Sequence, residues 1–490
     1  MGQAQAVNRS IDSGVLGLGL ANALALGAAV AAAAVYARWL EPVEFAQWAL
    51  ALGLARAAQL LLDGGLKMAL VRRQDAPSTA VLQRLVRISA CIAVLLTLLA
   101  VLSTFALVHS GRLDGTSAVL FVGIPAAYLL SYPGLFAPLS RLERAQRFGD
   151  IGRAEGGSVV LEFVLPVLGL WAGLPFEWAF ATAAVAARGL RTFWVRQAAG
   201  RLVDSGSDNA GACVNPSPRT HVLLKEAGGM QLVAGLSMLR DQMHLWLVLP
   251  WFGAHWAGQY GLALMACALA SQVAVQTVAR VSVPALRSTE PAAQWPQVLA
   301  RLRTLALFTL PPLALLPAWM ASLNTLAWDG RWELAVLIVP WLCLRMVAGV
   351  ATTVLGSWLL VAGSPWRNAQ AHAAWTACEA AAAVLALAVF GPMGLAISGA
   401  LSAWFGIALF LHATRASVSS AGKAGWGPLL RTLLLRPSLA AVLALAGWVY
   451  LQPQHLLLAT LLLPLAWLLE APVRRWLRVQ GMQTLLAARP

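Results

Sequence analysis

The sequence predicts an all-α, polytopic integral membrane protein with about fourteen transmembrane helices, and two observations lead to this prediction. Of the 490 residues, 59% are hydrophobic and only 11% are charged, with a mean hydropathy of +0.71, whereas soluble domains carry about 25% charged residues. The apolar residues also recur in blocks of about 20, the length that crosses ~30 Å of hydrocarbon as a helix. This pattern argues against a soluble enzyme, a secreted disulfide scaffold and a nucleic-acid module.

Fourteen candidate helices result when the chain is divided at Pro, Gly and clusters of charge. The first apolar block is longer than the core of a typical signal peptide, so we interpret it as an uncleaved span. Gly391 and Pro392 alone separate the eleventh and twelfth candidates, which predicts a tight hairpin. The approximate cores are 15–36, 45–66, 85–107, 118–138, 157–173, 178–195, 227–249, 257–279, 300–319, 334–354, 371–390, 393–413, 435–450 and 456–470.

The distribution of positive charge predicts the orientation. If the N-terminus is cytoplasmic, the cytoplasmic segments carry all but seven of the 35 Lys and Arg residues. Three others, Arg38, Arg112 and Arg331, lie in outer loops, and the last four lie inside candidate helices. This asymmetry predicts cytoplasmic N- and C-termini. The net charge of +15 therefore indicates membrane lipid as the partner and no nucleic acid.

A polar linker divides the chain into two lobes. Residues 201–222 are rich in Gly, Ser, Asn and Pro, which is typical of a flexible connection. We therefore expect a six-helix lobe at 1–200, a cytoplasmic linker at 201–222 and a second six-helix lobe at 223–416. Residues 417–490 would then form two further helices and a cytoplasmic tail.

A weak internal repeat supports two related lobes. With an offset of 212, WLEPVEFAQWALA from Trp39 aligns with WFGAHWAGQYGLA from Trp251, and Trp48 aligns with Tyr260. Both stretches begin the second helix of their lobe, which predicts a parallel pseudo-twofold repeat about an axis along the membrane normal. Chance similarity in a biased composition is the alternative.

No catalytic motif is recognisable. The sequence contains no Walker loop, no HExxH and no Gly-rich turn between a strand and a helix. The five cysteines form no CxxC pair, so we expect neither a metal site nor a disulfide framework. The sequence thus predicts a protein that is not an enzyme and needs no cofactor.

Ionisable residues at membrane depth are the candidate site. Each costs at least ~2.5 kcal/mol at a helix centre, so such residues usually face a partner or a hydrated cavity. One interpretation is structural pairing, with Asp63 bonded to Lys67 and with Arg240 or Arg345 bonded to Glu379. The other is that the arginines bind substrate and the remaining groups couple an ion. The candidate substrate-binding residues are Arg56, Arg188, Arg240 and Arg345, and the candidate ion-coupling or pairing residues are Asp241, Glu379, Asp63 and His244. Glu162 lies nearer the cytoplasmic end of the fifth helix.

The excess of arginine over acid indicates an anionic cargo. Planar guanidinium groups suit phosphate oxygens, and the sequence predicts that they line a hydrated cavity between the lobes. A drug exporter of lipophilic cations would instead need buried carboxylates. His244 could titrate near neutral pH, although a lone helix histidine is more often a packed polar residue.

Three stretches resemble a known family. ARWLEPVEFAQWALALGLARAAQLLLDGGLKMALVRR at 37–73 and LRDQMHLWLVLPWFGAHWAGQYGLALMACALASQVAVQTVARVSVPALRS at 239–288 are similar to Wzx-type polysaccharide flippases, and so is GPMGLAIS at the start of the twelfth helix. These flippases belong to the multidrug/oligosaccharidyl-lipid/polysaccharide exporter superfamily. Where that family usually has Gly followed by an aromatic residue, this chain has Ala46, Gln47 and Trp48, a difference that concerns the packing of the first hairpin.

The resemblance implies a secondary transporter of the bacterial inner membrane that works by alternating access. Its implied cargo is a polyprenyl-diphosphate-linked oligosaccharide, moved from the cytoplasmic to the periplasmic leaflet for O-antigen (lipopolysaccharide), exopolysaccharide or other surface polysaccharide synthesis. Contacts with a polysaccharide polymerase or assembly proteins are a further expectation. The alternatives are a flippase for the peptidoglycan lipid precursor and, with less support, a cation-coupled multidrug antiporter of the same superfamily. A membrane glycosyltransferase would need a large catalytic loop, and a scaffold would not need charges at mid-membrane depth.

Overall fold

The helices follow one another with short connections. The computed structural model describes residues 21, 24–63, 79–145, 147–204, 220–287, 290–362, 365–417 and 427–429, and these form helices joined by turns, with no strand among them. The helices are α1 (Leu24–Trp39), α2 (Pro42–Asp63), α3 (Thr79–His109), α4 (Ala118–Arg144), α5 (Phe148–Trp171), α6 (Phe176–Asp204), α7 (Thr220–Phe252), α8 (Ala254–Arg287), α9 (Pro291–Leu326), α10 (Glu333–Ala362), α11 (365–390) and α12 (392–417).

The first twelve candidate helices are confirmed. Most of them extend beyond their apolar cores: α6, for example, continues to Asp204, well past the predicted core at 178–195. The hairpin between α11 and α12 is also confirmed, because Gly391 has φ 61° and ψ −151°, a conformation open to glycine. The thirteenth and fourteenth candidates lie outside the described residues, as does Lys67.

The protein is a polytopic all-α membrane protein. Among the described residues, seven helical segments are long and apolar enough to cross a membrane, by length and composition, and the last of them, Pro365–Arg415, contains both α11 and α12. The outer face of α3 shows the apolar surface that such a protein presents to lipid, with Leu95, Leu102 and Phe105 at least 65% exposed.

The contacts group the chain into two compact units. The first consists of 1–269 and 364–398, and the second consists of 270–363 and 399–490. In the first unit, α4 packs against α2, α3, α5 and α6, and α5 also packs against α6. In the second unit, α9 packs against α10, where Trp358 Nε1 donates a hydrogen bond to Gln294 Oε1 at 3.0 Å. The predicted lobe boundaries at 201–222 and 416 stay a prediction.

The backbones of α2 and α8, both in the first unit, approach each other closely. An added Cβ at Gly258 of α8 would lie 1.7 Å from the Pro42 carbonyl oxygen of α2, so this position requires glycine. Gly261, one turn further along α8, faces Ala49 at an ordinary contact distance of 3.4 Å. The two stretches aligned by the repeat therefore pack against each other.

The loop before α4 anchors the helix that carries two tyrosines of the candidate site. Asp114 accepts hydrogen bonds from the Ser117 backbone N–H at 3.0 Å and from the Thr116 hydroxyl. Hydrogen bonding from Ser117, followed by that from Thr116, lowers the pKa of Asp114 to about 2. Ser117 also donates through its hydroxyl to Gln47 Oε1 of α2 at 3.1 Å, which ties the loop to that helix.

Candidate functional site

Four helices of the first unit contribute two polar residues each to a structure that we call the polar ladder. The spacing within each helix is three, four or seven residues, which places both members on one helix face. In α2, α4 and α6 the upper-rung residue precedes the lower-rung residue in the sequence. In α5, which runs in the opposite direction, the upper-rung residue follows the lower-rung residue. The upper rung consists of Arg56 (α2), Tyr128 (α4), Glu162 (α5) and Arg188 (α6), and the lower rung consists of Asp63, Tyr132, Glu155 and Arg191 in the same helix order.

The upper rung is organised around Tyr128. The Tyr128 hydroxyl donates to Glu162 Oε1 at 2.5 Å, and Arg188 donates both to that hydroxyl and to Glu162 Oε2. The Arg188 guanidinium also lies over the Tyr128 ring, with its carbon 3.8 Å from the ring centroid. Arg56 lies within electrostatic range of the Tyr128 hydroxyl. A carboxylate, a phenol and two guanidinium groups therefore share one neighbourhood.

The lower rung repeats this chemistry one to two turns away. Arg191 forms an ion pair with Glu155 at 2.7 Å, and Tyr132 donates its hydroxyl hydrogen to Asp63 Oδ1. Arg191 also acts electrostatically on Tyr132, which joins the two contacts into one network. Across both rungs, three guanidinium groups face three carboxylates, so the ladder as a whole is close to neutral.

A second polar group of the first unit, which we call the sealed cluster, lies between α7, α8 and α11. The Arg240 guanidinium carbon lies 3.5 Å from the centroid of the Trp375 ring, and Arg240 is 3.3 Å from His372 Nδ1. One turn along α7, His244 Nδ1 lies 2.8 Å from the Tyr260 hydroxyl, and His244 Nε2 lies 3.2 Å from Glu379 Oε1. The side chains of His244 and Glu379 have no exposed surface.

The structure places six of the eight predicted residues in these two groups. Arg56 and Arg188 lie on the upper rung of the polar ladder, and Asp63 lies on the lower rung, with contacts that run through Tyr128 and Tyr132. Arg240, His244 and Glu379 lie in the sealed cluster.

Asp241 and Arg345 lie outside these two groups, and Asp63 and Glu379 have contacts other than the predicted ones. Asp63 contacts Tyr132, and its predicted partner Lys67 lies outside the described residues. Asp241 is exposed on α7, although its neighbour Arg240 is buried. Arg345 is buried on α10 in the second unit. The described contact of Glu379 is with His244, whereas its pairing with Arg240 or Arg345 stays a prediction.

Several residues of these sites were not singled out from the sequence. Tyr128 and Tyr132 are spaced by four residues in α4, and Glu155 lies seven residues before Glu162, which the sequence did single out, so helical periodicity was an available signal. Arg191 was counted with the cytoplasmic positive charges although the predicted core at 178–195 contains it, and it lies within α6 with its side chain 14% exposed. No group of three or more His, Cys, Asp or Glu residues that could hold a metal ion occurs in the part of the chain that the structure describes.

Comparison with known proteins identifies the fold. No family model and no curated protein sequence matches the chain. Its structure is similar to that of the lipid II flippase MurJ in an inward closed conformation, with a TM-score of 0.65 and 11% identity over 96% of this chain and 99% of that chain. A mutant of the Vibrio cholerae MATE transporter VcmN gives a TM-score of 0.56 and 13% identity over 86% and 100% of the two chains.

A MATE protein in the straight conformation is also similar, with a TM-score of 0.55 and 14% identity over 85% of this chain and 97% of that one. The chain is thus a polytopic membrane protein with the fold that a lipid II flippase and MATE transporters share. Within that fold it carries the polar ladder and the sealed cluster described above.

Proposed function

We propose that this protein is a flippase for a polyprenyl-diphosphate-linked oligosaccharide. In this proposal it moves the lipid from the cytoplasmic to the periplasmic leaflet of a bacterial inner membrane for surface polysaccharide synthesis, with both termini in the cytoplasm. The observation that carries the proposal is the Arg56 side chain, which is exposed on a helix long and apolar enough to cross a membrane.

The position of Arg56 calls for an anionic partner. Arg56 follows the start of α2 by fourteen residues, about 21 Å along the helix axis. No hydrogen bond or ion pair joins its side chain to another of the described residues, although Tyr128 lies within electrostatic range. An exposed guanidinium at such a depth costs at least ~2.5 kcal/mol. Water or a phosphorylated headgroup would offset this cost, and a diphosphate would do so with charge-assisted hydrogen bonds.

Arg188 supplies a second cation in the same neighbourhood. Its side chain is 11% exposed, and it uses terminal nitrogen Nη2 for its contacts with Glu162 and Tyr128. A diphosphate has oxygens on two phosphorus atoms, so it suits two separate guanidinium groups better than a single phosphate does. Under this proposal Arg56 is the first contact of the headgroup and Arg188 is the second. Arg240 and Arg345 are buried, so they are weaker candidates for direct contact.

A peptidoglycan lipid precursor such as lipid II is the second candidate cargo. The likeness to the lipid II flippase over 96% of this chain favours it. Both cargoes carry a polyprenyl diphosphate, so the arginines would bind either one in the same way. The fold is equally that of MATE transporters, and a cation-coupled multidrug antiporter therefore enters the test as a competing outcome.

The proposal is tested with purified protein in liposomes that contain a fluorescent polyprenyl-diphosphate-linked oligosaccharide. A membrane-impermeant quencher measures how fast the inner-leaflet label reaches the outside, and lipid II and a cationic dye are measured in parallel. We expect wild-type protein to move the diphosphate lipids. Arg56→Ala should slow this movement by about tenfold or more, because it removes charged hydrogen bonds of about 1.5–3 kcal/mol.

The matched control is Arg87→Ala, which removes an exposed arginine from α3. Its rate should equal that of wild type, and Arg56→Lys should retain part of the activity because it keeps the charge. A full rate for Arg56→Ala would remove Arg56 from the site. Movement of the cationic dye with no movement of either diphosphate lipid would overturn the proposed function in favour of an antiporter.

A further inference from the structure

The contact between Arg188 and Glu162 leaves part of the guanidinium available. Arg188 binds Glu162 through Nη2 alone, and the two side chains are 11% and 13% exposed. Its Nε atom is buried and has no hydrogen-bond partner among the described residues. A guanidinium has five N–H donors in a planar fork. The pair is therefore held by one edge of that fork, and a donor next to it is unused.

The net charge of the upper rung can balance one negative charge of a bound ligand but not two. Arg56 and Arg188 contribute two positive charges, and Glu162 contributes one negative charge, so the rung has a net charge of one positive. A diphosphate diester brings two negative charges. With Glu162 still ionised, the occupied rung would carry excess negative charge, and the carboxylate would repel the phosphate beside it. One proton on Glu162 would restore neutrality.

We propose that Glu162 is an internal counter-ion for Arg188 that the cargo diphosphate replaces, and that Glu162 takes up one proton when this happens. This inference rests on the proposed function and adds its coupling step. The N–H donors of Arg188 pass from a Glu162 carboxylate oxygen to a phosphate oxygen, while Arg188 stays charged. The carboxylate accepts a proton from solvent and becomes a neutral acid beside the Tyr128 hydroxyl. Release of the diphosphate reverses both steps.

Each helix around Glu162 contributes a group that bears on this step. α1 contributes Tyr36, which acts electrostatically on Glu162 and whose hydroxyl donates to the Phe163 carbonyl. α2 contributes Arg56, α4 contributes the Tyr128 hydroxyl, and α6 contributes Arg188. Glu155 on α5 also acts electrostatically on Arg188. Glu155 has its own partner in Arg191, and Asp63 has its own in Tyr132. Glu162 is therefore the carboxylate that loses its cation when Arg188 turns to a phosphate.

The test measures binding of a polyprenyl-diphosphate-linked oligosaccharide, which is a diphosphate diester, to the full chain in lipid nanodiscs at several pH values. A diphosphate diester stays ionised over the range used, which lies above the ordinary Glu pKa of about 4.3. Because one proton binds with the cargo, affinity should fall as pH rises, by up to about tenfold per pH unit. Glu162→Gln should bind with an affinity that does not depend on pH.

The matched control is Asp150→Asn on the same helix, where Asp150 pairs with Arg147. This variant should keep the pH dependence of wild type. Proton uptake by wild-type protein in weak buffer is a second measurement that does not depend on the folding of the Glu162 variant, and we expect about one proton for each diphosphate bound. No uptake, or a Glu162→Gln variant as pH-dependent as wild type, would overturn the inference.

Two further outcomes separate this inference from the proposed function. Binding of the polyprenyl-diphosphate-linked oligosaccharide to wild-type protein with the same affinity at every pH would overturn the role of Glu162 and leave the flippase proposal standing. A wild-type protein that binds no polyprenyl-diphosphate-linked oligosaccharide at any pH would instead overturn the proposed function, and the inference with it.

Discussion

Trp48 and Tyr260 align in the predicted internal repeat, but their surroundings differ. Trp48 on α2 packs against the rings of Tyr36, Phe163 and Phe180, with the centroid of Phe180 4.9 Å away. Tyr260 on α8 lies instead in the sealed cluster, with its hydroxyl 2.8 Å from His244. The two aligned positions thus differ, because the surroundings of Trp48 are apolar and those of Tyr260 are polar.

This difference reflects where the charged residues lie in the two regions, the polar ladder and the sealed cluster. Around Trp48 the core is aromatic, and the charges of that half lie on the polar ladder, where arginine contacts carboxylate and some exposure remains. Around Tyr260 the ionisable groups lie in the core itself, where Arg240 contacts an aromatic ring and Glu379 lies beside a histidine. Partly exposed ion pairs can exchange partners with an incoming anion, whereas fully buried groups are fixed by packing.

The largest expected effect is on stability, when Glu162 of the polar ladder and Glu379 of the sealed cluster are each replaced by alanine. Glu162→Ala should lower the free energy of unfolding by about 3 kcal/mol, because it removes the carboxylate from an Arg188 side chain that is only 11% exposed, and arginine cannot lose its charge. Glu379→Ala should cost less, about 2 kcal/mol, because its neighbour His244 can become neutral. Thermal unfolding of both variants in one detergent measures the difference.

An equal or larger loss for Glu379→Ala would contradict this order and would indicate that burial, not the fixed charge of arginine, sets the energetics. Diphosphate should also raise the unfolding temperature of Glu162→Ala, since it supplies the missing anion.

A smaller effect is expected at the contact between the two repeated stretches. Gly258 aligns with Ala46, yet a Cβ at Gly258 would lie 1.7 Å from a backbone oxygen. Gly258→Ala should therefore lower the free energy of unfolding by about 2 kcal/mol through overpacking. Gly261→Ala is the control, because its Cβ would meet Ala49 at 3.4 Å. If the two variants unfold at the same temperature, the approach of α8 to α2 is not as close as described.

The smallest effect concerns the tyrosine hydroxyls of the two regions. Tyr260→Phe should cost about 1 kcal/mol, because it removes a buried hydrogen-bond partner of His244. Tyr36→Phe should cost less, since the Phe163 carbonyl that accepts its hydrogen bond also belongs to the backbone ladder of α5. Unfolding temperatures again provide the measurement, and a greater loss for Tyr36→Phe would reverse the comparison.

The number and order of the helices could be predicted from the sequence, because the length and hydropathy of a membrane-spanning helix are properties of its own segment. Every candidate helix from the first to the twelfth has a counterpart in the structure, and the hairpin at Gly391 lies where Gly and Pro interrupt the apolar run. Helix ends were less predictable, since a helix can continue past its apolar core when polar residues find partners. α6 is such a case, because it continues to Asp204, nine residues past its predicted core at 178–195.

The candidate site was predictable as a set of residues but not as a set of contacts. Depth in an apolar helix singles out Arg56, Arg188, Arg240 and Glu379 from one sequence alone. It does not indicate that Arg188 contacts Glu162, or that Arg240 lies on Trp375, because these partners come from helices 26 to 135 positions away.

The sequence by itself determined that this protein is a bundle of membrane-spanning helices with four arginines at depth, since hydropathy and charge are properties of each segment. The tertiary structure alone decided which arginine is neutralised by an acid, which is covered by an aromatic ring and which stays exposed. The physical reason is that the energy of a buried charge depends on the atoms within a few ångströms of it, and packing brings those atoms from other helices.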